Sequence, residues 1–232
     1  MSIRSRRSFL KTTAALAAGP YLLGRAAAAA DVPEDPVFEK IKAVPLFDGK
    51  TFEGWEGPES AQNAFRIEDG AIVGGTLKAP VKRNEFMSTK KEYGDFELRL
   101  SIKLLGKNAN GGIQIRSKRV PNGNEMIGYQ ADLGQQYWGC LYDESRRNKV
   151  LAKPDFAELT KVLKVEDWNH YVIRCTGKRI QLWFNGLQTV DFTETDDKIE
   201  LTGVFGLQIH GGPPTEAWYK DLMIKEVPAA TK

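Results

Sequence analysis

The sequence predicts an all-β protein, a two-sheet antiparallel β-sandwich. Three observations carry this. Apolar and polar residues alternate with period two through most of the chain beyond residue 44. The alternating runs are separated by glycine-containing turns, among them Asp69-Gly70 and Asn185-Gly186. Only one stretch, "DFAELTKVLK" after Pro154, has helical spacing, through Phe156, Leu159, Val162 and Leu163. Many short strands and at most one short helix need a second sheet to cover their apolar faces, which is the sandwich arrangement.

Taken in order, "FRIEDGAIVGG" gives two strands joined at Asp69-Gly70. "DFELRLSIKL" places Phe96, Leu98, Leu100, Ile102 and Leu104 inward and Glu97, Arg99, Ser101 and Lys103 outward. "GGIQIRS" sets Ile113 and Ile115 against Gln114 and Arg116, and "IGYQADLG" sets Tyr129, Ala131 and Leu133 against Gln130 and Asp132. "HYVIRCTGKRIQLWFNG" is a strand, a turn at Thr176-Gly177-Lys178 and a second strand, after which Asn185-Gly186 leads into "LQTVDF". "VFGLQIHGG" reads as a strand with Val204, Leu207 and Ile209 on one side and Gln208 and His210 on the other, stopped by Gly211-Gly212. "AWYKDLMIKEV" closes the chain's run of strands.

The first 30 residues stand apart. "SRRSFLK", Ser5 to Lys11, followed by a short apolar alanine-rich run and "AAAAA", has the order of a twin-arginine export leader with a small-residue processing site. The expected domain organisation is a leader over 1–30, an N-terminal extension over 31–44 and one β-sandwich domain over 45–228, in a periplasmic or secreted protein. The apolar run is interrupted by Gly19, Pro20, Gly24 and Arg25, which disfavours a membrane span. Without the leader's five basic residues the chain holds 28 basic against 30 acidic residues, so the basicity belongs to the leader and nothing suggests a nucleic-acid partner. "ESRRNK", Glu144 to Lys149, reads as a solvated loop. Two cysteines, Cys140 and Cys175, could pair in an oxidising compartment or remain buried thiols.

If the apolar faces of the three strands around Gln114, Gln130 and Gln208 point inward, their outer faces carry Gln114 and Arg116, Gln130 and Asp132, and Gln208 and His210. Were these strands neighbours in a curved sheet, they would form a polar cup with a cation, a carboxylate and an imidazole. Glu125, just before a strand, could overhang that face. Tyr137, Trp138 and Tyr142 in "QQYWGCLYDE" are the best candidates for stacking on a sugar ring. The small and stiff residues after His210 would let a ligand approach the backbone. His170, on the polar face of its own strand, reads as structural.

These residues resemble the 3-keto-disaccharide hydrolase domain family. "LFDGKTFEGW" (46–55) looks like its opening motif, and "KKEYGDFELRLSIKL", "NANGGIQIRS", "GYQAD", "DWNHYVIRCTGKRIQLWFNG" and "FGLQIHGG" follow in the family's order, over roughly residues 45–227. The resemblance implies a concanavalin A-like jelly roll and cleavage of glycosides already oxidised to a ketone at sugar C3, with a separate sugar 3-dehydrogenase upstream. The chain departs from it at Gln130 and Asp132, where many members have Glu and Gln, so the acid sits two residues further on.

That chemistry needs few groups. A C3 ketone acidifies the C2 proton; one base removes it, an electrophile stabilises the enolate, and the C1 substituent leaves by β-elimination, after which water adds. On this expectation His210 is the base or a metal ligand, Asp132 and Glu125 orient it or join a metal, and Arg116 binds the enolate oxygen. Gln114, Gln130, Gln208, Tyr137, Trp138 and Tyr142 would hold the sugar. No cofactor is certain, and a divalent metal ion is the alternative electrophile. The rival expectation is a non-catalytic carbohydrate-binding, lectin-like module, which needs aromatics and amides but no aligned base. A retaining glucanase would show paired acids as in ExDxxE, and the sequence has no such segment.

Overall fold

The computed structural model describes residues 32–228. The leader and its twin-arginine motif lie outside the described residues. Among the described residues no helix is long and apolar enough to cross a membrane.

The strands are β1 (Val44–Pro45), β2 (Trp55–Glu56), β3 (Phe65–Glu68), β4 (Ala71–Thr76), β5 (Glu85–Thr89), β6 (Phe96–Leu105), β7 (Asn110–Arg119) and β8 (Met126–Gly134). They continue with β9 (Leu141–Glu144), β10 (Lys149–Ala152), β11 (Asn169–Thr176), β12 (Arg179–Phe184), β13 (Leu187–Thr193), β14 (Val204–Ile209) and β15 (Thr215–Glu226). Two helices interrupt them, α1 (Glu59–Ala64) and α2 (Phe156–Val162). All pairings are antiparallel. One sheet runs β13-β12-β11-β6-β15-β4-β3, with β1 on β15; the other runs β10-β9-β8-β7-β14-β5-β2. This is the all-β sandwich that the alternation predicts.

Local chemistry explains the turns. Asp69 and Gly70 both take positive φ, 49° and 72°, and so do Asn185 and Gly186, 47° and 86°, the geometry of two-residue hairpins that match strand twist. Helix α2 stands where the periodicity places it, with the Asp155 carboxylate accepting from the Ala157 N–H at 2.8 Å as its N-cap. Helix α1 was not expected: "ESAQNA" buries only Ala61 and has no apolar stripe to read.

Between the sheets lies one large core. The inward residues of β6 (Phe96, Leu98, Leu100, Ile102 and Leu104) are all buried there, facing Ile113, Ile115, Tyr129, Ala131, Leu133, Leu207 and Ile209 of the second sheet. Each such large aliphatic or aromatic side chain contributes about 1.5–3 kcal/mol on burial. One expected assignment is corrected: Phe205, not Val204, joins Leu207 and Ile209 in the core. Period two counted back from Ile209 through Leu207 reaches Phe205, whereas Val204 lies an odd number of residues from both and so stands on the other side.

Tyr219 crosses this core from β15. Its hydroxyl donates to the Gln208 carbonyl at 2.6 Å and lies 3.3 Å from the Gly112 carbonyl. A Cβ on Gly111 would come within 2.9 Å of that hydroxyl, so the glycine admits the tyrosine. The outer polar strands are thus fixed from beneath by the opposite sheet. Cys140 and Cys175 are both buried free thiols, and burial pushes each up to about 12.

Candidate functional site

Strands β8, β7 and β14 are neighbours, and their register aligns the polar residues in rows. Tyr142, Gln130, Gln114, Gly206 and Ser88 form one row across β9, β8, β7, β14 and β5. Asp132, Gly112, Gln208 and Phe86 form the next. Asp132 and Gln208 flank Gly112, two strand spacings or about 9.6 Å apart at their Cα atoms.

The carboxamides of this face are joined. The Ser117 hydroxyl donates to Gln114 Oε1 at 2.6 Å, Gln114 Nε2 to Gln130 Oε1 at 2.7 Å, and Gln130 Nε2 to Asp132 Oδ1 at 2.8 Å. Gln130 Nε2 also reaches Gln208 Oε1 at 3.3 Å. A Cβ on Gly112 would stand 2.6 Å from Gln130 Cδ, so the missing side chain there is what lets Gln130 span the row. Gln208 is fully buried, yet its Nε2 has no hydrogen-bond partner among the described residues. A buried amide N–H without an acceptor costs about 1–3 kcal/mol, and a ligand oxygen would supply what is missing.

The face is roofed by its own hairpin. At Arg116–Ser117 the β7–β8 register shifts, Arg116 takes φ 47°, and Gly128 on the paired strand takes φ 147°. Beyond this bulge the hairpin curls over β14 and β5. Arg119 donates to the Phe86 carbonyl at 3.2 Å and the Ser88 hydroxyl at 3.0 Å. Met126 lies over Gly206, where a Cβ would meet its sulfur at 2.4 Å. Asn84 Nδ2 sits 3.5 Å from Glu125 Oε2, and Asn84 Oδ1 accepts from the Gly211 N–H at 3.0 Å. Glu125 therefore does overhang the face, next to the end of β14.

His210 is half-buried at that end. Its Nδ1 is 2.7 Å from the Gly211 carbonyl oxygen. A carbonyl only accepts, so Nδ1 carries a proton, and the lone pair of the neutral tautomer is on Nε2. Asp132 is almost fully buried, and that burial pushes its carboxyl up to about 8, against the hydrogen bond from Gln130, with the Glu144 charge adding to the rise. At neutral pH it is largely a protonated acid, able to donate. Tyr142 faces the same side, and Tyr137 meets it edge-on at 6.2 Å.

Three expectations are corrected. Arg116 is not on this face. The bulge breaks the period of two and turns its fully buried side chain to the edge of the sandwich. There it donates to the Gly94 carbonyl at 2.9 Å, the Gly177 carbonyl at 2.6 Å and Asp95 Oδ1 at 2.8 Å. Trp138 packs on Phe184, ring centroids 5.6 Å apart, against the core instead of beside the tyrosines. Gly211 admits the chain's own backbone: a Cβ there would lie 2.8 Å from Arg83 Cα. His170 lies in the other sheet, its Nδ1 3.4 Å from the Ser101 hydroxyl.

"ESRRNK" is more ordered than a solvated loop. Arg146 and Arg147 both pair with the buried Asp143 carboxylate, and Arg147 also reaches buried Glu194 at 2.7 Å. Glu144 precedes them at the end of β9, opposite Gly128. It belongs to the site and was missed, although the alternation of "LYDE" puts Tyr142 and Glu144 on one face. Among the described residues no group of three or more His, Cys, Asp or Glu side chains stands close enough to hold a metal ion. A cleft of about 1000 Å³ lies elsewhere, along β3, β4 and the start of β5, and none of the candidate residues lines it.

A family model described as a 3-keto-alpha-glucoside-1,2-lyase-like domain matches residues 42–225. No curated protein matches the chain. Among solved structures, two matches from Parabacteroides distasonis, both provisionally named glycosyl hydrolases, superpose with TM-scores of 0.59 and 0.58 at 20% and 19% identity. Each alignment covers 80% of this chain, and 100% and 94% of the respective match. A Bacillus subtilis protein of unknown function with a galectin-like fold superposes at TM-score 0.58 and 11% identity, over 80% of this chain and 94% of its own. At these identities the likeness is one of fold.

Proposed function

Since the chain belongs to the 3-keto-alpha-glucoside-1,2-lyase-like domain family, we propose that its roofed polar face binds a 3-keto-glycoside and cleaves it by elimination. His210 Nε2 takes the C2 proton, the C2–H electron pair moves toward the ketone as an enolate, and the C1–O bond then breaks. Water adds to the resulting enone, so the net change is hydrolysis. The observation that carries this reading is the His210 ring, whose Nδ1 is fixed on the Gly211 carbonyl so that Nε2 is the free base.

With Arg116 at the sandwich edge, the enolate oxygen needs other donors. The unpartnered Gln208 Nε2 and the protonated Asp132 carboxyl take that role. A neutral acid held by burial is a strong donor to a developing oxyanion. Gln114 and Gln130 hold these two in place, and Tyr142 with Tyr137 offers the ring face for the sugar. The twin-arginine leader places the reaction in the periplasm or outside the cell, and the 3-keto substrate calls for a sugar 3-dehydrogenase upstream.

The test is turnover of 3-keto-glucosides by the protein without its leader, with and without chelator. In D2O the released 3-keto sugar should carry deuterium at C2, as elimination and hydration require and direct displacement at C1 does not. His210→Ala should lower kcat/KM at least about a hundredfold, the low end for a positioned proton-transfer group, while His170→Ala leaves it nearly unchanged. A folded His210→Ala protein of full activity removes His210 from the mechanism. Glycan binding without any turnover by the wild type makes the domain a carbohydrate-binding module.

A further inference from the structure

Elimination needs a second proton transfer. The oxygen leaving C1 departs as an alkoxide unless an acid meets it, and for a sugar or simple alcohol that is a poor leaving group. His210 becomes cationic when it takes the C2 proton, but it sits at the C2 end of the reaction. Asp132 is committed to the enolate oxygen.

Glu144 is the remaining acid of the face. It stands two residues from Tyr142 on β9 and so shares its side. Its cross-strand partner is Gly128, which carries no side chain to cover it. Gly128 also lies within the register shift at which the β7–β8 hairpin begins to curl. The hairpin returns Glu125 to the same space, and both Glu125 and His210 lie within electrostatic reach of the Glu144 carboxyl. Glu144 is half-buried and forms no ion pair among the described residues. Burial first, and then the Glu125 charge, hold it above the usual carboxylate range. Asp143, its neighbour, faces the core and is neutralised by two arginines, so it does not compete for the role.

We infer that Glu144 is the general acid that protonates the departing C1 oxygen. This rests on the elimination reading above. The C2–H bond breaks toward His210 Nε2. Its electron pair becomes the C1=C2 bond of the enone, and the C1–O pair stays with the leaving oxygen, which takes the Glu144 proton. The aglycone leaves as a neutral alcohol. Histidinium and carboxylate then exchange a proton through water, so no external reagent is consumed.

Leaving-group dependence tests this directly. The substrates are methyl and 4-nitrophenyl 3-keto-glucosides, assayed with wild type and Glu144→Gln. The methyl substrate should lose at least about a hundredfold in kcat/KM. The 4-nitrophenyl substrate, whose oxygen needs no proton to depart, should lose less than about fivefold. Glu144→Ala should behave alike, with formate restoring turnover of the methyl substrate only. Equal losses on both substrates, or no loss on the methyl one, overturn the assignment while leaving elimination intact. A wild type that turns over neither substrate defeats the elimination reading and this inference together.

Discussion

Replacing the Asp132 carboxyl by an amide, Asp132→Asn, changes how stability depends on pH. The folded carboxyl titrates at about 8 against an ordinary 3.8. Between those values the folded state holds a proton that the unfolded state has released. Stability must then fall as pH rises through that window and level off above it, because the raised value means the charged form is the one burial disfavours. At about 1.4 kcal/mol per pH unit, the full interval amounts to about 6 kcal/mol. Water entering the roofed face can solvate the carboxylate, so the realised loss should be about 2–6 kcal/mol. The substituted amide keeps an oxygen for the Gln130 N–H and has no charge to bury. Urea unfolding at pH 5, 7 and 9 measures the comparison: the variant should gain on the wild type as pH rises from 5 to 9. Only the difference between the proteins is informative, since other carboxylates titrate in both. A constant difference across the three pH values would refute the buried-acid description, and with it the enolate role given to Asp132.

Three other outcomes follow, two from the structure and one from the sequence. Arg116→Met should cost about 3–5 kcal/mol by stranding Asp95 and two carbonyls, seen as a lower Tm; a large loss of kcat at unchanged Tm would return Arg116 to the chemistry. Cys140 and Cys175 should be unreactive to a thiol reagent in the native protein, with two thiols per chain appearing in guanidinium without reductant; none appearing would mean a disulfide. Arg6→Lys with Arg7→Lys should leave the precursor in the cytoplasm, and normal periplasmic recovery would rule out the twin-arginine assignment.

The fold was legible because alternation reports burial directly. In β6, β7 and β8 the inward residues were read correctly from period two alone. The strands' adjacency was not legible, because nothing in "GGIQIRS" or "FGLQIHGG" says which strand lies next to it. Irregularity was hidden for the same reason that regularity was visible. No residue type announces the bulge at Arg116–Ser117, and one extra residue there reverses every later assignment on the strand. That is why Arg116 lies off the face its parity predicts, whereas Val204 needed no bulge to leave the core, since its odd spacing from Leu207 and Ile209 already sets Phe205 on their side. Glu144 was lost to a different habit, the grouping of charged residues into a presumed loop, although its spacing from Tyr142 carried the needed signal. Asp132 shows the limit of composition: the sequence marks it as an acid, and only its burial makes it a neutral donor.

A face built from alternate residues has a parity. Moving a group by two positions along one strand, or across to the register partner on the next, leaves it on the same side; moving it by one removes it. Here the acid expected at position 130 stands at 132, with an amide at 130, and both still contribute to one hydrogen-bonded floor. The frame that makes this tolerable is backbone: the curl at Arg116 and Gly128, the missing side chain at Gly112, and the Tyr219 hydroxyl beneath Gln208. Descent within such a family can therefore redistribute acids and amides over same-parity positions while the shape of the enclosure is inherited unchanged. Aligned columns would then record a catalytic group as lost when it has only stepped sideways, and a search for relatives with the same chemistry should compare faces, not positions.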